Sequence, residues 1–299
     1  MNSEKRNEVI GTWYAIAAFT TWGFLPIYWK LLKHVPSSQI LAHRIIWSFL
    51  FLSIINSIKK NWHLIKKTYS VPKNRLSSVI SAVILGTNWF IYIWAVNSGH
   101  IVESSLGYFI NPLVTVLLGI IFLKERLKFI QSVAFLLAFT GVLFLTIQHG
   151  QIPWISLSLA LTFGFYGLLR KISHVGSLTG ITTETAILSP LVLLFLIYKG
   201  ILGTGVFGTA SLLTHLLLAG AGIMTATPLL WFTYGARRIP LTSIGFIQYL
   251  APTFQLFCGV VIYKEAFTST HLISFSMIWT ALLIYSFSNI NIKKRIYRK

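Results

Sequence analysis

Ionisable residues inside apolar runs are the residues of this chain best placed to do chemistry. Asp is absent, so six Glu residues supply all the side-chain carboxylates. Glu184 lies inside one apolar run and Arg44 lies inside another. An ionisable residue in a bilayer is costly, and it usually marks an ion pair, a proton relay or a substrate contact. Charge pairing and proton transfer are therefore the chemistry that the sequence offers.

The same sequence offers few residues suited to catalysis or metal binding. The eight His residues are scattered, and no two stand at the i, i+4 spacing that places two ligands on one helix face. Cys258 is the single cysteine, lies in an apolar run and is interpreted as a small core residue. No phosphate-binding Gly-x4-Gly-Lys-Ser/Thr motif is present. We predict no enzyme activity, no metal and no cofactor.

The elements that must position these residues are membrane helices. Apolar residues make up 55% of the chain and charged residues only 10%, which is too few to cover a soluble globule. A bilayer core of ~30 Å needs ~20 apolar residues per helix. We predict an all-α integral membrane protein with ten transmembrane helices, at approximately 11–31, 38–58, 76–97, 103–123, 128–147, 153–170, 179–198, 211–234, 242–263 and 270–290.

The basic residues predict the orientation of these spans. Twenty of the 25 Lys and Arg fall on the side that holds both termini, among them Arg170, Lys171 and the basic segment 59–75. Short cytoplasmic segments are rich in Lys and Arg, so both termini are predicted to be cytoplasmic. Attraction to anionic lipids explains the net charge of +19 without nucleic acid. Segment 59–75 could lie on lipid headgroups or form a solvated loop.

A duplicated pattern divides the chain into two halves. Pro112-x6-Gly119-x4-Lys124-Glu125 returns 140 residues later as Pro252-x6-Gly259-x4-Lys264-Glu265. Five spans separate the copies, and an odd number of spans inverts the second copy in the membrane. The sequence therefore predicts a 5+5 inverted repeat, with one five-helix unit in 1–150 and the other in 151–299. Such repeats are typical of secondary transporters.

A substrate pocket is predicted at the bilayer midplane, beside the matched prolines. Pro112 and Pro252 are predicted helix breaks, each about eight to nine residues, or roughly 13 Å, into its span. An alternative is that Asn111 and Gln248 only bond the carbonyls freed by these prolines. The candidate substrate-binding residues are Trp22, Asn88, Trp89, Tyr108, Asn111, Gln248, Tyr249 and, beside them, Gln255.

The ionisable residues are predicted to form two charge latches for gating. Arg44 lies near the external face, where Glu103 could reach it, and Glu184 lies near the cytoplasmic face, where Arg237 or Arg238 could reach it. Alternatively, Arg44 extends to the external interface, and Glu184 is a carboxylate near a helix N-terminus. Burial and a nearby cation would compete at Glu184, which makes it the candidate site for a coupling proton.

Many short segments together support a family assignment. They include Trp22-Gly23, His43-Arg44, Asn88-Trp89, Ser105-Leu106-Gly107-Tyr108, Asn111-Pro112, Glu184-Thr185, Pro228-Leu229 and Gly245-Phe246-Ile247-Gln248-Tyr249. Over nearly its full length the chain resembles the ten-helix drug/metabolite transporters of the EamA type, and specifically the RarD (chloramphenicol-sensitive permease) group. The resemblance implies a carrier of small organic molecules in the bacterial inner membrane, with export as the expected direction.

Together these features predict a secondary transporter that works by alternating access and draws on an ion gradient. Its partners would be a small-molecule substrate, membrane lipids and a coupling proton. Its oligomeric state stays open. The alternative is a membrane channel, or a structural membrane protein without coupled transport. The inverted duplication disfavours that alternative because a permanently open pore has no use for two gates.

Overall fold

The computed structural model describes residues 3–148, 153–264 and 267–296, and all regular elements in these ranges are helical. The long helices are α1 (Ser3–Leu31), α2 (Ser37–Ile58), α4 (Pro72–Asn97), α5 (Ile101–Leu123), α6 (Phe129–Gln148), α7 (Trp154–Ile172), α8 (Ser177–Ile201), α9 (Leu212–Ala236) and α12 (Ser269–Ile296). The short ones are α3 (Trp62–Tyr69), α10 (Leu241–Gln248) and α11 (Leu250–Phe257), which runs into a π-helical turn, Cys258–Ile262.

Nine helical segments of the described chain are long and apolar enough to cross a bilayer. One of them, Leu241–Ile262, combines α10, α11 and the π-helical turn. The remaining long helix, α1, has 29 residues but is not among the nine, and Tyr, Trp and Thr interrupt its apolar residues. The chain is thus an all-α, multi-pass membrane protein with helices at all ten predicted positions.

Helices from the first half of the chain pack mainly on helices from the second half. The contacting pairs are α1 with α9 and α11, α2 with α8 and α9, α4 with α7 and α8, α5 with α7 and α10, and α6 with α12. Glycine allows the two helix backbones to come close at two of these contacts. A Cβ at Gly222 would overlap the backbone of Trp47, and one at Gly245 would lie 2.7 Å from the carbonyl oxygen of Pro112.

Both copies of the duplicated motif end in the same unusual backbone conformation. Lys124 has φ 54° and Lys264 has φ 58°, in the left-handed region that few residues other than glycine adopt. After Lys124, the carboxylate of Glu125 accepts hydrogen bonds from the backbone N–H groups of Leu241 (2.7 Å) and Thr242 (2.8 Å), which begin α10. Its counterpart Glu265 lies outside the described residues.

The two predicted helix breaks have different outcomes. The break at Pro112 is wrong, because α5 continues through this residue from Ile101 to Leu123. A proline removes one hydrogen bond from a helix and can bend it without ending it. In the second half, α10 ends at Gln248 and α11 begins at Leu250. The interruption therefore lies at Tyr249, three residues before Pro252 and next to the carbonyl that Pro252 leaves without its helical donor.

The basic segment 59–75 contains a helix instead of a plain loop. Residues 62–69 form the amphipathic α3, and none of these eight residues is buried. Near its end, the hydroxyl of Tyr69 donates a hydrogen bond to Ser78 Oγ on α4, at 2.8 Å. This helical form is the one that a surface segment on lipid headgroups adopts.

Candidate functional site

A cavity of 280 Å³ lies between helices of the two halves. Its walls come from α1, α2, α4 and α5 of the first half and from α7, α9, α10 and α11 of the second. The volume is close to the lower end of the usual range for small-molecule sites, about 300 Å³. The predicted pocket residues that line it are Trp22, Asn88, Trp89, Tyr108, Asn111, Gln248 and Gln255, together with Pro252.

Aromatic side chains form the apolar wall of the cavity. The ring of Trp22 packs against Phe19 (5.3 Å between centroids), Phe163 (5.7 Å) and Phe232 (5.8 Å), the last of which lies behind the wall. These contacts fix the indole in place through tilted and edge-to-face packing. The wall therefore offers a rigid, flat surface to a bound molecule.

Asn88 joins two helices and still presents an acceptor to the cavity. Its Nδ2 donates to the carbonyl oxygen of Leu159 (3.0 Å) and to Thr162 Oγ1 (2.8 Å), both on α7. Its side-chain oxygen makes no hydrogen bond to the described residues. Asn88 thus positions α4 against α7 and keeps one polar atom for a ligand.

Asn111 and Gln248, the two amides predicted to lie at the midplane, do not bond the carbonyls freed by the neighbouring prolines. Asn111 Oδ1 lies 3.5 Å from Thr115 Oγ1, and Gln248 Oε1 is buried without a hydrogen-bond partner in the described chain. Only 8% of Asn111 and 4% of Gln248 is exposed, and the unpaired oxygen of Gln248 is costly at such burial. The side-chain nitrogens of both residues are not among the buried unpaired atoms, so the cavity reaches them and a ligand with acceptor groups could bind there.

Tyr249 does not line the cavity, and its predicted place in the pocket is wrong. It is 2% exposed and belongs to an apolar cluster with Leu106, Phe246 and Tyr285. Adjacent residues on a helix point about 100° apart, so Gln248 and Tyr249 face different sides. Gln248 faces the cavity, and Tyr249 packs behind it.

Arg44 extends into the cavity instead of pairing with Glu103. Its Nε donates to Thr225 Oγ1 at 2.9 Å, and its guanidinium lies 4.7 Å from the ring centre of Trp29 and 6.0 Å from that of Trp89. The predicted external latch is therefore wrong. Thr225 and two aromatic faces hold the guanidinium, while Glu103 is 9% exposed with Oε2 buried and unpaired among the described residues.

Glu184 pairs with a different arginine from the one predicted. Arg170 Nη1 lies 3.3 Å from Glu184 Oε1, and the hydroxyl of Tyr166 donates to Glu184 Oε2 at 2.9 Å. The predicted pair with Arg237 is wrong, because Arg237 Nη1 donates to the carbonyl oxygens of Ser173 (2.8 Å) and Val175. The tally of basic residues places Arg170 with the cytoplasmic loops, whereas the structure places it in α7 with only 1% exposed.

Basic side chains bind backbone carbonyls near the Arg170–Glu184 pair, at the C-terminal end of α7. Lys171 Nζ donates to the carbonyl oxygens of Ala236 (3.2 Å) and Ile239 (2.6 Å) at the end of α9, and Arg170 Nη2 donates to that of Gly176 (3.2 Å) before α8. We name Arg170, Lys171 and Arg237, with the carbonyls that they bind, the carbonyl clasp. It joins α7, α9 and the α7–α8 connection.

The described residues offer no alternative centre for metal chemistry. No three His, Cys, Asp or Glu side chains within them come together as metal ligands would. Cys258 is a buried free thiol whose sulfur lies 4.0 Å from the carbonyl oxygen of Gly23. The chemistry of the site is thus that of a cavity with amides, aromatic faces and one arginine.

Comparison with known proteins identifies the family. The sequence pattern of the EamA-like transporter family matches residues 9–147. The chain is 45% identical over 287 residues to the uncharacterized transporter YojE of Bacillus subtilis (strain 168), covering 95% of this chain and 96% of YojE. It is also 41% identical over 285 residues to protein RarD of Escherichia coli (strain K12), with the same coverage. The chain belongs to the EamA-like transporter family.

The fold of this EamA-like transporter is also found in a solved structure. A solved crystal structure of a protein at 17% identity superimposes with a TM-score of 0.70, over 92% of this chain and 96% of that one. At this identity, the likeness establishes the fold alone.

Sequence reasoning missed several cavity residues of this EamA-like transporter. Trp29, Phe163 and Thr225 line the cavity without having been predicted, and Arg44 was assigned to a latch. Thr21-Trp22-Gly23-Phe24 returns 141 residues later as Thr162-Phe163-Gly164-Phe165, so the repeat carried a signal for Phe163. The depth of a residue along a helix gave no signal for Thr225, because depth does not indicate which face points inward.

Proposed function

We propose that this EamA-like protein is a secondary transporter that moves a small organic metabolite or drug across the bacterial inner membrane by alternating access. The observation that carries the proposal is a cavity between two sets of helices with a separate closure beyond it. On α7 the cavity lining ends at Phe163, and the clasp begins at Arg170. Seven helical residues place the two levels about 10 Å apart.

The pattern of helix contacts supports two inverted five-helix repeats in 1–150 and 151–299. In this scheme α1 corresponds to α7, α2 to α8, and α4 to α9. The contact of α1 with α9 then has its counterpart in α7 with α4, and that of α2 with α9 in α8 with α4. Lys124 and Lys264, which both have a left-handed backbone conformation, stand at equivalent positions of the two copies. Two related halves around one site are what alternating access requires.

The orientation follows from the basic residues in this proposal. Both termini lie in the cytoplasm, which places the clasp on the cytoplasmic side and the cavity nearer the external ends of α1, α2 and α5. Because Arg170 is buried, it no longer counts as a loop charge. Most of the remaining Lys and Arg residues still fall on the side of the two termini. The structure then corresponds to a carrier that is closed toward the cytoplasm.

A proton is the coupling ion in this proposal, and Glu184 is its binding site. The titratable groups that surround Glu184 are Arg170 and Tyr166 on α7 and Tyr69 on α3. Protonation of Glu184 would remove the ion pair with Arg170, which also belongs to the clasp. Proton binding would thereby weaken the cytoplasmic closure, and downhill proton entry would drive cargo export.

Flux measurements distinguish a carrier from a channel. Metabolite profiles of cells with and without the protein first identify the compounds whose export changes. The leading compound is then tested in proteoliposomes that contain the purified protein. Saturation and counterflow support the proposal, whereas a current that rises linearly with voltage, without counterflow, favours a channel and overturns it.

A further inference from the structure

Arg44 brings a permanent positive charge into a cavity whose other described lining residues carry no formal charge. Apart from Arg44, the described lining residues include no Asp, Glu, Lys, Arg or His. A guanidinium inside a membrane protein is costly unless an anion, aromatic faces or water compensate for it. Here Trp29 and Trp89 supply aromatic faces and the Thr225 hydroxyl accepts one hydrogen bond, but no carboxylate of the described chain pairs with Arg44.

The side chain of Arg44 is oriented so that its outer nitrogen atoms remain free. Nε is occupied by Thr225, whereas Nη1 and Nη2 make no hydrogen bond to the described residues. These two atoms are also not among the side-chain nitrogens buried without partners, so the cavity reaches them. A guanidinium held in this way presents its N–H donors in the geometry that suits a carboxylate.

We propose that the cargo is a small aromatic or apolar compound with a single carboxylate, which binds to Nη1 and Nη2 of Arg44. The inference rests on the proposed transport function and names its substrate class. One guanidinium neutralises one negative charge, so a doubly charged phosphate would leave a charge uncompensated in a site of low dielectric. The apolar body of the cargo packs on the wall around Trp22, and the midplane amides contact its remaining polar groups.

Two kinds of compound share this chemistry, and a matched series separates them. 3-Phenylpropionate has only the carboxylate, and L-phenylalanine adds an ammonium group to the same skeleton. 3-Phenylpropanamide keeps the skeleton and has no charge. Binding is measured on the purified full-length protein through tryptophan fluorescence, since Trp22, Trp29 and Trp89 line the cavity.

The wild-type protein tests the carboxylate without any substitution. We expect 3-phenylpropionate, L-phenylalanine or both to bind roughly ten- to hundredfold more tightly than the amide, as for a charge-assisted hydrogen-bonded pair. The tighter of the two acids identifies the kind of carboxylate. Equal affinity for the amide, or no saturable binding of either acid, overturns the inference.

Substitution assigns the preference to Arg44. In Arg44→Gln, the preference for the acid over the amide is expected to fall at least roughly tenfold, with little change for the amide. Arg44→Lys keeps the charge but not the two-pronged donor, so it restores only part of the preference. Lys30→Gln is the matched control, because Lys30 lies over the ring of Tyr263 and does not line the cavity.

The outcomes also separate this inference from the transport function. An unchanged preference in Arg44→Gln overturns the role of Arg44, whichever compound binds. If Arg44→Gln does not fold, Thr225→Val provides a second test, because it removes the acceptor of Nε and should weaken the preference severalfold. Counterflow of neutral compounds alone would retain the carrier and reject the carboxylate.

Discussion

Arg170 and Glu184 form an ion pair, at 3.3 Å, in which 1% of one side chain and none of the other is exposed. Both charges are withdrawn from bulk solvent, so each depends on the other and on the groups around the pair. Tyr166 donates to the carboxylate, and Gly176 accepts from the guanidinium. Loss of one partner from such a buried pair is more harmful than loss of both.

The first prediction concerns the proposed coupling role of Glu184. Glu184→Gln keeps the shape of the side chain and removes its charge, so it should abolish accumulation driven by a pH gradient. Some counterflow should remain, because exchange needs no net proton transfer. Both are measured in proteoliposomes with the identified cargo, and Glu8→Gln, at an exposed position on α1, is the control. Undiminished pH-driven accumulation would leave Glu184 with a structural role only.

The second prediction concerns stability. Arg170→Met leaves an unpaired carboxylate in the interior and should destabilise the protein by roughly 3–5 kcal/mol. Arg170→Met combined with Glu184→Gln removes both charges and should recover a large part of that loss. Thermal unfolding in detergent measures both variants. A double variant less stable than the single one would show that the ion pair is not what makes Arg170→Met harmful.

The third prediction concerns the midplane amides. Asn111→Leu or Gln248→Leu should impair transport while expression stays near normal, because loss of a buried amide also removes its desolvation cost. Tyr249→Phe is the control next to Gln248, since Tyr249 lies outside the cavity and its hydroxyl is unpaired among the described residues. Transport at the native rate by both amide variants would restrict the amides to structural roles.

The fourth prediction concerns topology. Tags at residue 65 and at the C-terminus should be cytoplasmic, and a tag at residue 205 should be external, because the basic residues fall mainly on one side of the ten predicted spans. Accessibility of the tags in intact cells and in inverted vesicles provides the measurement. A cytoplasmic tag at residue 205 would contradict the inverted arrangement.

The positions of the helices were predictable from sequence, whereas their faces were not. Apolar runs between polar interruptions placed α2 at 38–58 and α9 at 211–234, within two residues of Ser37–Ile58 and Leu212–Ala236. Hydropathy needs only the local sequence for this. Which face of a helix points inward depends on its neighbours, so Gln248 and Tyr249 could not be told apart.

The ionic partners illustrate the same limit. The depths of Arg44 and Glu103 along their helices allowed a pair, yet Arg44 meets Thr225 from the other half of the chain. Arg170 stands at the end of an apolar run, where arginine usually marks a loop, and its burial against Glu184 depends on tertiary contacts that bring its side chain to α8. The position of a residue along its helix was therefore predictable, and rotation about each helix axis was not.

The contrast between α5 and the α10–α11 pair has a consequence for the opposite state of the carrier. In the proposed repeat the two elements hold equivalent places, yet α5 is continuous while its counterpart is interrupted at Tyr249 and ends in a π-helical turn. If the halves trade shapes when the cavity changes sides, the interruption should pass to Phe109 and the widened turn to 118–122. A single conformation of the protein would then contain both end states of the cycle, one in each half.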